Sequence, residues 1–265
     1  MKPLSQFPAA KAKKISVVFT DIDDTLTTDG RLEAPAYGAI CKLAQSGIQV
    51  VPVTGRPAGW CDHIARMWPV AGVVGENGAL YYRYDHDARV FARRYAESDA
   101  ARKRYARKLR DLGARILRAV PGAALASDQN FRMFDLAIDF CEDVPRLSDA
   151  EISRIVQLFE RNGATAKVSS IHVNGWFGLY DKLSMIRSFA AEVLRLDLDD
   201  PKHRARAMYV GDSPNDEPAF RFFENSVGVA NVRDFEAQLD HLPTWVSKAR
   251  GGRGFAEVAR KLRAS

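Results

Sequence analysis

The run Val17-Val18-Phe19 passes through Thr20 straight into three carboxylates in four positions, Asp21, Asp23 and Asp24. An apolar run this short, bounded by charge, reads as a strand buried on both faces whose carboxyl end opens onto a polar place. The same grammar continues downstream. Residues 34–47 read as a helix stopped by Gly47 in the C′ position, and residues 48–53 read as the next strand. A short helix follows near residues 58–67, then a third apolar strand at residues 71–75. Two successive strand–helix–strand steps of this kind require a parallel sheet covered by helices on both sides. The end of the chain repeats the pattern, with strands at residues 205–210, 226–230 and 244–247 and helices near 215–223, 232–240 and 254–263.

The middle of the chain has a different period. Residues 79–95 suggest a hairpin turning near Asp85–Asp87. In residues 134–140, Phe134, Leu136, Ile138 and Phe140 alternate onto one side of a strand. Ser148 and Glu151 stand at capping-box spacing before a helix that ends at Gly163, and residues 164–180 read as one or two further strands. The expected architecture is α/β: a parallel-sheet core from residues 15–83 and 181–265, interrupted by an α+β insert at about 84–180. Residues 1–14 are basic and read as a disordered lead-in.

Composition removes several alternatives. Hydrophobic residues make up 46% of the 265, enough for a sizeable core, and no apolar run reaches the roughly 18–20 residues of a membrane span. Cys41, Cys61 and Cys141 form no CxxC pair and leave an odd count, which fits a reducing cytoplasm better than a disulfide framework or a cysteine-rich zinc site. Net charge is +6, and residues 93–118 hold ten Lys or Arg against Glu97, Asp99 and Asp111. A helix there would bury Tyr105, Leu109, Leu112 and Ile116 and leave its cations on the other faces. A solvated face is the plain reading of that charge; a polyanion surface and steering of a phosphorylated substrate are the functional ones.

Four polar clusters fall where ligands bind in open α/β sheets, at the carboxyl ends of strands. The first is Asp21–Thr25. A calcium loop of the EF-hand type needs Gly at its sixth position, and counting from Asp21 that position is Leu26. Carboxylates at i and i+2 can share one site when a cation offsets their repulsion. Asp21, first past the strand, suits a nucleophile, and Asp23 an acid and base. The second is Thr54-Gly55 ahead of a helix, where a hydroxyl and backbone N–H groups can cradle phosphate. The third is Lys182 at an apparent helix start, and the fourth is Gly211–Asp216, with Asp212 and Asp216 around a tight turn.

In that order the clusters resemble the four motifs of the haloacid dehalogenase-like phosphatase superfamily, a resemblance that covers nearly the whole chain. The position of the insert is similar to the Rossmann-like subgroup with an α+β cap between the second and third motifs, which contains sugar-phosphate phosphatases and phosphomannomutases. Residues 75–79 and 254–258 look like that subgroup too, and Asp24 stands where Gly is commonest. The resemblance implies Mg²⁺ held by Asp21, the Asp23 backbone carbonyl and Asp212, with Asn215 and Asp216 supporting that shell. It implies an aspartyl-phosphate formed on Asp21, proton transfer by Asp23, and phosphate held by Thr54, Gly55 and Lys182. The expected partner is a small phosphorylated molecule, a sugar phosphate by family, and not a membrane or nucleic acid. Candidates for its recognition are Asn77 at the third strand's end and, alternating along one strand, His172, Asn174 and Trp176, the last either stacking on a sugar ring or belonging to the cap core. A phosphomutase using the same nucleophile is the nearer alternative, and a nucleic-acid-binding protein on a retired scaffold the remoter one.

Overall fold

The protein is described by a computed structural model over residues 1–169 and 171–264. Six strands form one all-parallel sheet in the order Lys2–Pro3, Trp245–Val246, Ser226–Gly228, Ala207–Gly211, Val17–Thr20, Gln49–Pro52. The strand ending at Thr20 is interior, flanked by Ala207–Gly211 and Gln49–Pro52, and all four of its residues are buried. That explains its unbroken apolar sequence: neither face meets water. Ala34–Gln45, Ala58–Met67 and Gly251–Arg263 contribute to one apolar layer, and Lys182–Glu192 and Glu217–Phe222 to the other.

The first fourteen residues are not a disordered lead-in. Lys2–Pro3 pairs in parallel with Trp245–Val246, and Leu4 and Phe7 are buried. The Phe7 ring meets Trp245 edge-on, with centroids 5.3 Å apart. Two apolar anchors spaced three apart are too few to register as a pattern in a basic segment, yet they suffice once a sheet edge is available to receive them.

Val73–Gly75 touches the core sheet through a parallel bridge between Val53 and Val74, then starts an antiparallel sheet with Leu80–Asp85 and Val90–Tyr95. The hairpin is therefore fastened to the core, and the change of layer comes after Tyr95 rather than at residue 84. Beyond it, Ala124–Leu125, Asp135–Asp139, His172–Trp176 and Thr165–Val168 form a four-stranded antiparallel sheet in that spatial order. Helices Asp99–Ala119 and Asp149–Arg161 cover one face, where Leu109, Leu112, Ile116, Ile155 and Phe159 pack on Leu136, Ile138, Phe140 and Val173. Glu151 N–H donates to Ser148 Oγ and Ser148 N–H to Glu151 Oε2, the reciprocal cap anticipated from their spacing. Phe134 departs from the alternation: it leaves this cluster and packs with Tyr95 and Tyr180 instead.

Truncating Phe7 to alanine removes a fully packed ring and should lower the free energy of unfolding by about 3–5 kcal/mol. A denaturant midpoint unchanged from wild type would mean that the N-terminal segment does not stabilise the sheet.

Candidate active site

Asp21 stands where the strand Val17–Thr20 stops, and the chain then turns through Asp24 at φ 58°, a left-handed conformation. Glycine reaches it freely and Asp tolerates it better than most residues, which accounts for Asp24 at a position where Gly is commonest in similar sequences. Asp24 N–H donates to Thr27 Oγ1 at 2.9 Å, and its carbonyl accepts from Asn231 Nδ2 at 2.8 Å.

The next strand over supplies the fourth motif. A side chain at Gly211 would collide with the Asp216 carboxylate, so glycine is what lets Asp216 fold back against the strand end. Asp216 is saturated there. Its Oδ1 accepts from Tyr209 OH at 2.6 Å and Lys182 Nζ at 3.0 Å, and its Oδ2 accepts from the Asp212 N–H at 3.0 Å. Asp212 is held by Thr25 Oγ1 at 2.8 Å and Asn231 Nδ2 at 3.0 Å. Lys182 opens its helix behind an Asp181–Ser184 capping box and donates to Asp21 Oδ1 at 2.6 Å. The turn at Glu76–Gly78 sets the register of that helix. Glu76, Asn77 and Gly78 all have positive φ, and a side chain at Gly78 would clash with the Asp181 carbonyl.

Three buried carboxylates, Asp21, Asp212 and Asp216, thus offer oxygens within 4.8 Å of one another around a single ammonium. Burial, and then the neighbouring carboxylates, push Asp212 well above the ordinary range. Burial raises Asp21 too, more than Lys182 lowers it. Lys182 is raised because its two carboxylates outweigh its own burial. With all three carboxylates ionised the local balance is two negative charges in excess, and the ligand atoms are all hard oxygens, so the residues present suit a divalent cation such as Mg²⁺. Asp21 Oδ1 and both Asp212 oxygens each accept one hydrogen bond, whereas Asp216 is fully engaged in supporting the others.

Asp21 and Asp212 form the floor of a cleft of about 770 Å³ that lies between the carboxyl ends of the core strands and the polar face of the four-stranded sheet, while Lys182 and Asp216 are buried beside them outside its lining. Asp21, Asp23, Gly55, Asn77, Asp212 and Asn215 line it from the core, and His172 and Asn174 from the opposite side. Thr54 is fully buried beneath that lining, its Oγ1 accepting the Arg56 N–H at 2.9 Å. Trp176 is not brought to the cleft. It is stacked on Tyr180 with centroids 5.7 Å apart inside the apolar core, so it stabilises the junction and offers no face to a ligand.

Several residues that carry the site were missed in the sequence. Arg56, two positions past Thr54, donates through Nε to Asp23 Oδ1 at 3.0 Å and through Nη1 to Glu142 at 3.3 Å, and Glu142 Oε2 is 2.8 Å from His172 Nε2. Arg132 is buried among Asp128, Asp135 and the Gly55 carbonyl, and Asn174 Nδ2 donates to Asp135 at 2.9 Å. Glu76 accepts the backbone N–H groups of Ala58, Met133 and Phe134, tying a core helix to the antiparallel sheet. Arg56 and Asn231 sit four and three residues beyond the strands that end at Pro52 and Gly228, a positional signal that could have found them. Glu142 and Arg132 lie in loops with no pattern around them.

Residues 18–114 match the family model of haloacid dehalogenase-like hydrolases, in accord with the motifs. A search of curated proteins found no match. Among solved structures, a Thermoplasma acidophilum protein is similar with a TM-score of 0.69 at 16% identity, over 95% of this chain and 99% of that one. A trehalose-6-phosphate phosphatase related protein gives 0.63 at 16% identity, over 94% and 97%. The sucrose-phosphatase of Synechocystis sp., solved with sucrose and phosphate, gives 0.64 at 13% identity, over 95% and 98%. The α/β fold with a parallel core and added antiparallel sheets is shared with these structures.

The Glu142 carboxyl is held at about 2 by its bond to His172, against burial and with help from Arg56. A depressed carboxyl stabilises the fold above its ordinary value near 4.5, and that contribution fades as pH falls toward 2. The stability difference between wild type and Glu142→Gln should hold constant above about pH 5 and shrink below it, as read from urea midpoints. A difference independent of pH down to about 3 would remove the pairing from the stability of the cleft.

Proposed function

We propose that this chain is a Mg²⁺-dependent phosphatase that hydrolyses a phosphate monoester through Asp21. The observation that carries the reading is the buried Asp21 carboxylate at the end of the strand Val17–Thr20, bonded to Lys182 at 2.6 Å and open to the cleft. Nothing in an ordinary fold repays the burial of three carboxylates around one lysine; phosphoryl transfer has use for all four groups.

Asp21 would attack phosphorus, forming an acyl-phosphate bond as the ester P–O bond breaks. Asp23 lines the same cleft two residues on, and would deliver its proton to the departing alkoxide. In the second half the Asp23 carboxylate takes a proton from water, which attacks the acyl-phosphate and frees inorganic phosphate and Asp21. Arg56 keeps the Asp23 carboxylate fixed at the wall of the cleft. Lys182 and the Thr54–Gly55 turn would hold phosphoryl oxygens, with Lys182 shared between nucleophile and substrate. Asp21, the Asp23 carbonyl and Asp212 would bind Mg²⁺, with Asp216 and Asn215 ordering its surroundings; the ion supplies charge neutralisation at the transferring phosphoryl group.

A sugar phosphate is the substrate class we favour. The cleft volume suits a small ligand, and its walls carry Asn77, Arg56, His172 and Asn174, which match a hydroxyl-bearing molecule. Sugar recognition then rests on hydrogen bonds, since Trp176 is unavailable for stacking. The similar structures that include a sucrose-phosphatase and a trehalose-6-phosphate phosphatase related protein support this choice. In this reading the four-stranded antiparallel layer with its two helices is the cap, and a reducing cytoplasm is the setting for cysteines that form no disulfide with one another. Among the described residues no helix is long and apolar enough to cross a membrane.

Asp21→Asn should reduce phosphate release from a panel of sugar phosphates to background while its far-ultraviolet spectrum stays that of wild type. Turnover within tenfold of wild type would end the nucleophile assignment. Mg²⁺ should raise the thermal midpoint of wild type, and Asp212→Asn should abolish that rise, because a ligand stabilises only the state that binds it. An equal rise in both proteins would place the ion elsewhere.

A further inference from the structure

Helix Asp99–Ala119 contains eight Lys or Arg against two Asp, a net +6 equal to that of the whole 265-residue chain. The rest of the protein is therefore electrically neutral, and the entire excess is concentrated in one element. The helix buries Leu109, Leu112 and Ile116 against the antiparallel sheet. That sheet presents its other side, His172 and Asn174, to the cleft, and no residue of the helix lines the cleft. The charge consequently lies behind the cap, where steering of a substrate into the site cannot be its purpose.

The cations form an ordered surface. Lys103, Arg107, Arg110 and Arg118 fall in one row, and Arg104, Lys108 and Arg115 in the next, all exposed. At 100° per residue both rows lie within a roughly 160° arc, and Lys103 to Arg118 spans about 22 Å. Among the described residues none of these seven has a carboxylate within 4.0 Å; the single ion pair on the helix is Arg102 with Asp99. A merely solvated helix face mixes signs, with favourable pairs four apart. Lys103 and Arg107, and Arg104 and Lys108, put like charges at that spacing, which weakens the helix unless an anion covers them; Asp111, four residues from both Arg107 and Arg115, is the one acid set among the seven cations.

We propose that this face docks the phosphate backbone of a nucleic-acid duplex without reading its sequence. Five of the seven exposed cations are arginines, whose planar forks match phosphate oxygens. Within that arc the apolar side chains are the alanines Ala100 and Ala114, with Ala106 and the half-buried Leu117 just outside its edge, so it lacks the row of large exposed apolar groups that inserts a helix into a lipid surface. The activity proposed for the cleft is independent of this surface.

The test uses the full-length protein and a fluorescent DNA duplex of roughly 20 base pairs of arbitrary sequence, with anisotropy read between about 50 and 200 mM salt. Binding should weaken by a hundredfold or more across that range, with a log–log slope near −4 to −6. The triple variant R107A/R110A/R118A should reduce the magnitude of the slope by about 3 and weaken binding, while its melting temperature and phosphate release stay those of wild type. No binding at the lowest salt overturns the proposal. So does a slope unchanged in the triple variant, which would place the contact on another surface. Capture by phosphatidylserine vesicles but not by the duplex overturns it as well, in favour of a membrane.

Discussion

One buried ammonium among three buried carboxylates is the constraint on which the core depends. Lys182 arrives from a helix 161 residues away in sequence from Asp21, and meets Asp21 and Asp216 at 2.6 and 3.0 Å. Breaking a buried pair by removing one partner strands a charge out of water. The surrounding structure is accordingly arranged to fix all four groups at once. The parallel sheet aligns Asp21 and Asp212 on adjacent strand ends, Gly211 admits Asp216, Tyr209 shares Asp216 Oδ1 with Lys182, and Thr25 and Asn231 donate to the two Asp212 oxygens.

The second constraint is the junction between that core and the antiparallel layer. It is polar on purpose at the cleft and apolar behind it. Glu76 receives three backbone N–H groups across the junction, Arg132 links Gly55 to Asp128 and Asp135, and Arg56 reaches from Asp23 to Glu142. Each of these side chains is shared between the two layers, so the cleft walls are held by charge-assisted bonds rather than by close packing. Trp176 and Tyr180 supply the apolar part of the same junction.

Much of the architecture was legible in the chain because short-range physics wrote it there. Strands buried on both faces must be apolar throughout, so Val17–Phe19 and Ala207–Val210 announced a parallel core, and the helices between them followed from period and capping. The capping box at Ser148–Glu151 was readable for the same reason: both partners lie within one turn. The N-terminal strand was not, since Lys2–Pro3 becomes a strand only by pairing with Trp245–Val246 at the far end of the sequence. Likewise the hairpin at residues 80–95 belongs to the core by virtue of the Val53–Val74 bridge, which no local pattern encodes.

What the sequence determined by itself was a set of groups at element ends: Asp21, Asp23, Thr54, Asp212 and Asp216 follow the places where apolar strands stop, and Lys182 opens a helix. Only the tertiary structure decided which of them share a charge, that Asp216 supports rather than faces the cleft, and that Arg56 and Glu142 join Asp23 and His172. It also decided between the two readings of Trp176 in favour of the core, and put the basic helix behind the antiparallel sheet. The physical reason is that burial and pairing are properties of space between segments. A single chain records each side chain's chemistry, but the cost of burying it, and the partner that offsets the cost, exist only after distant segments meet.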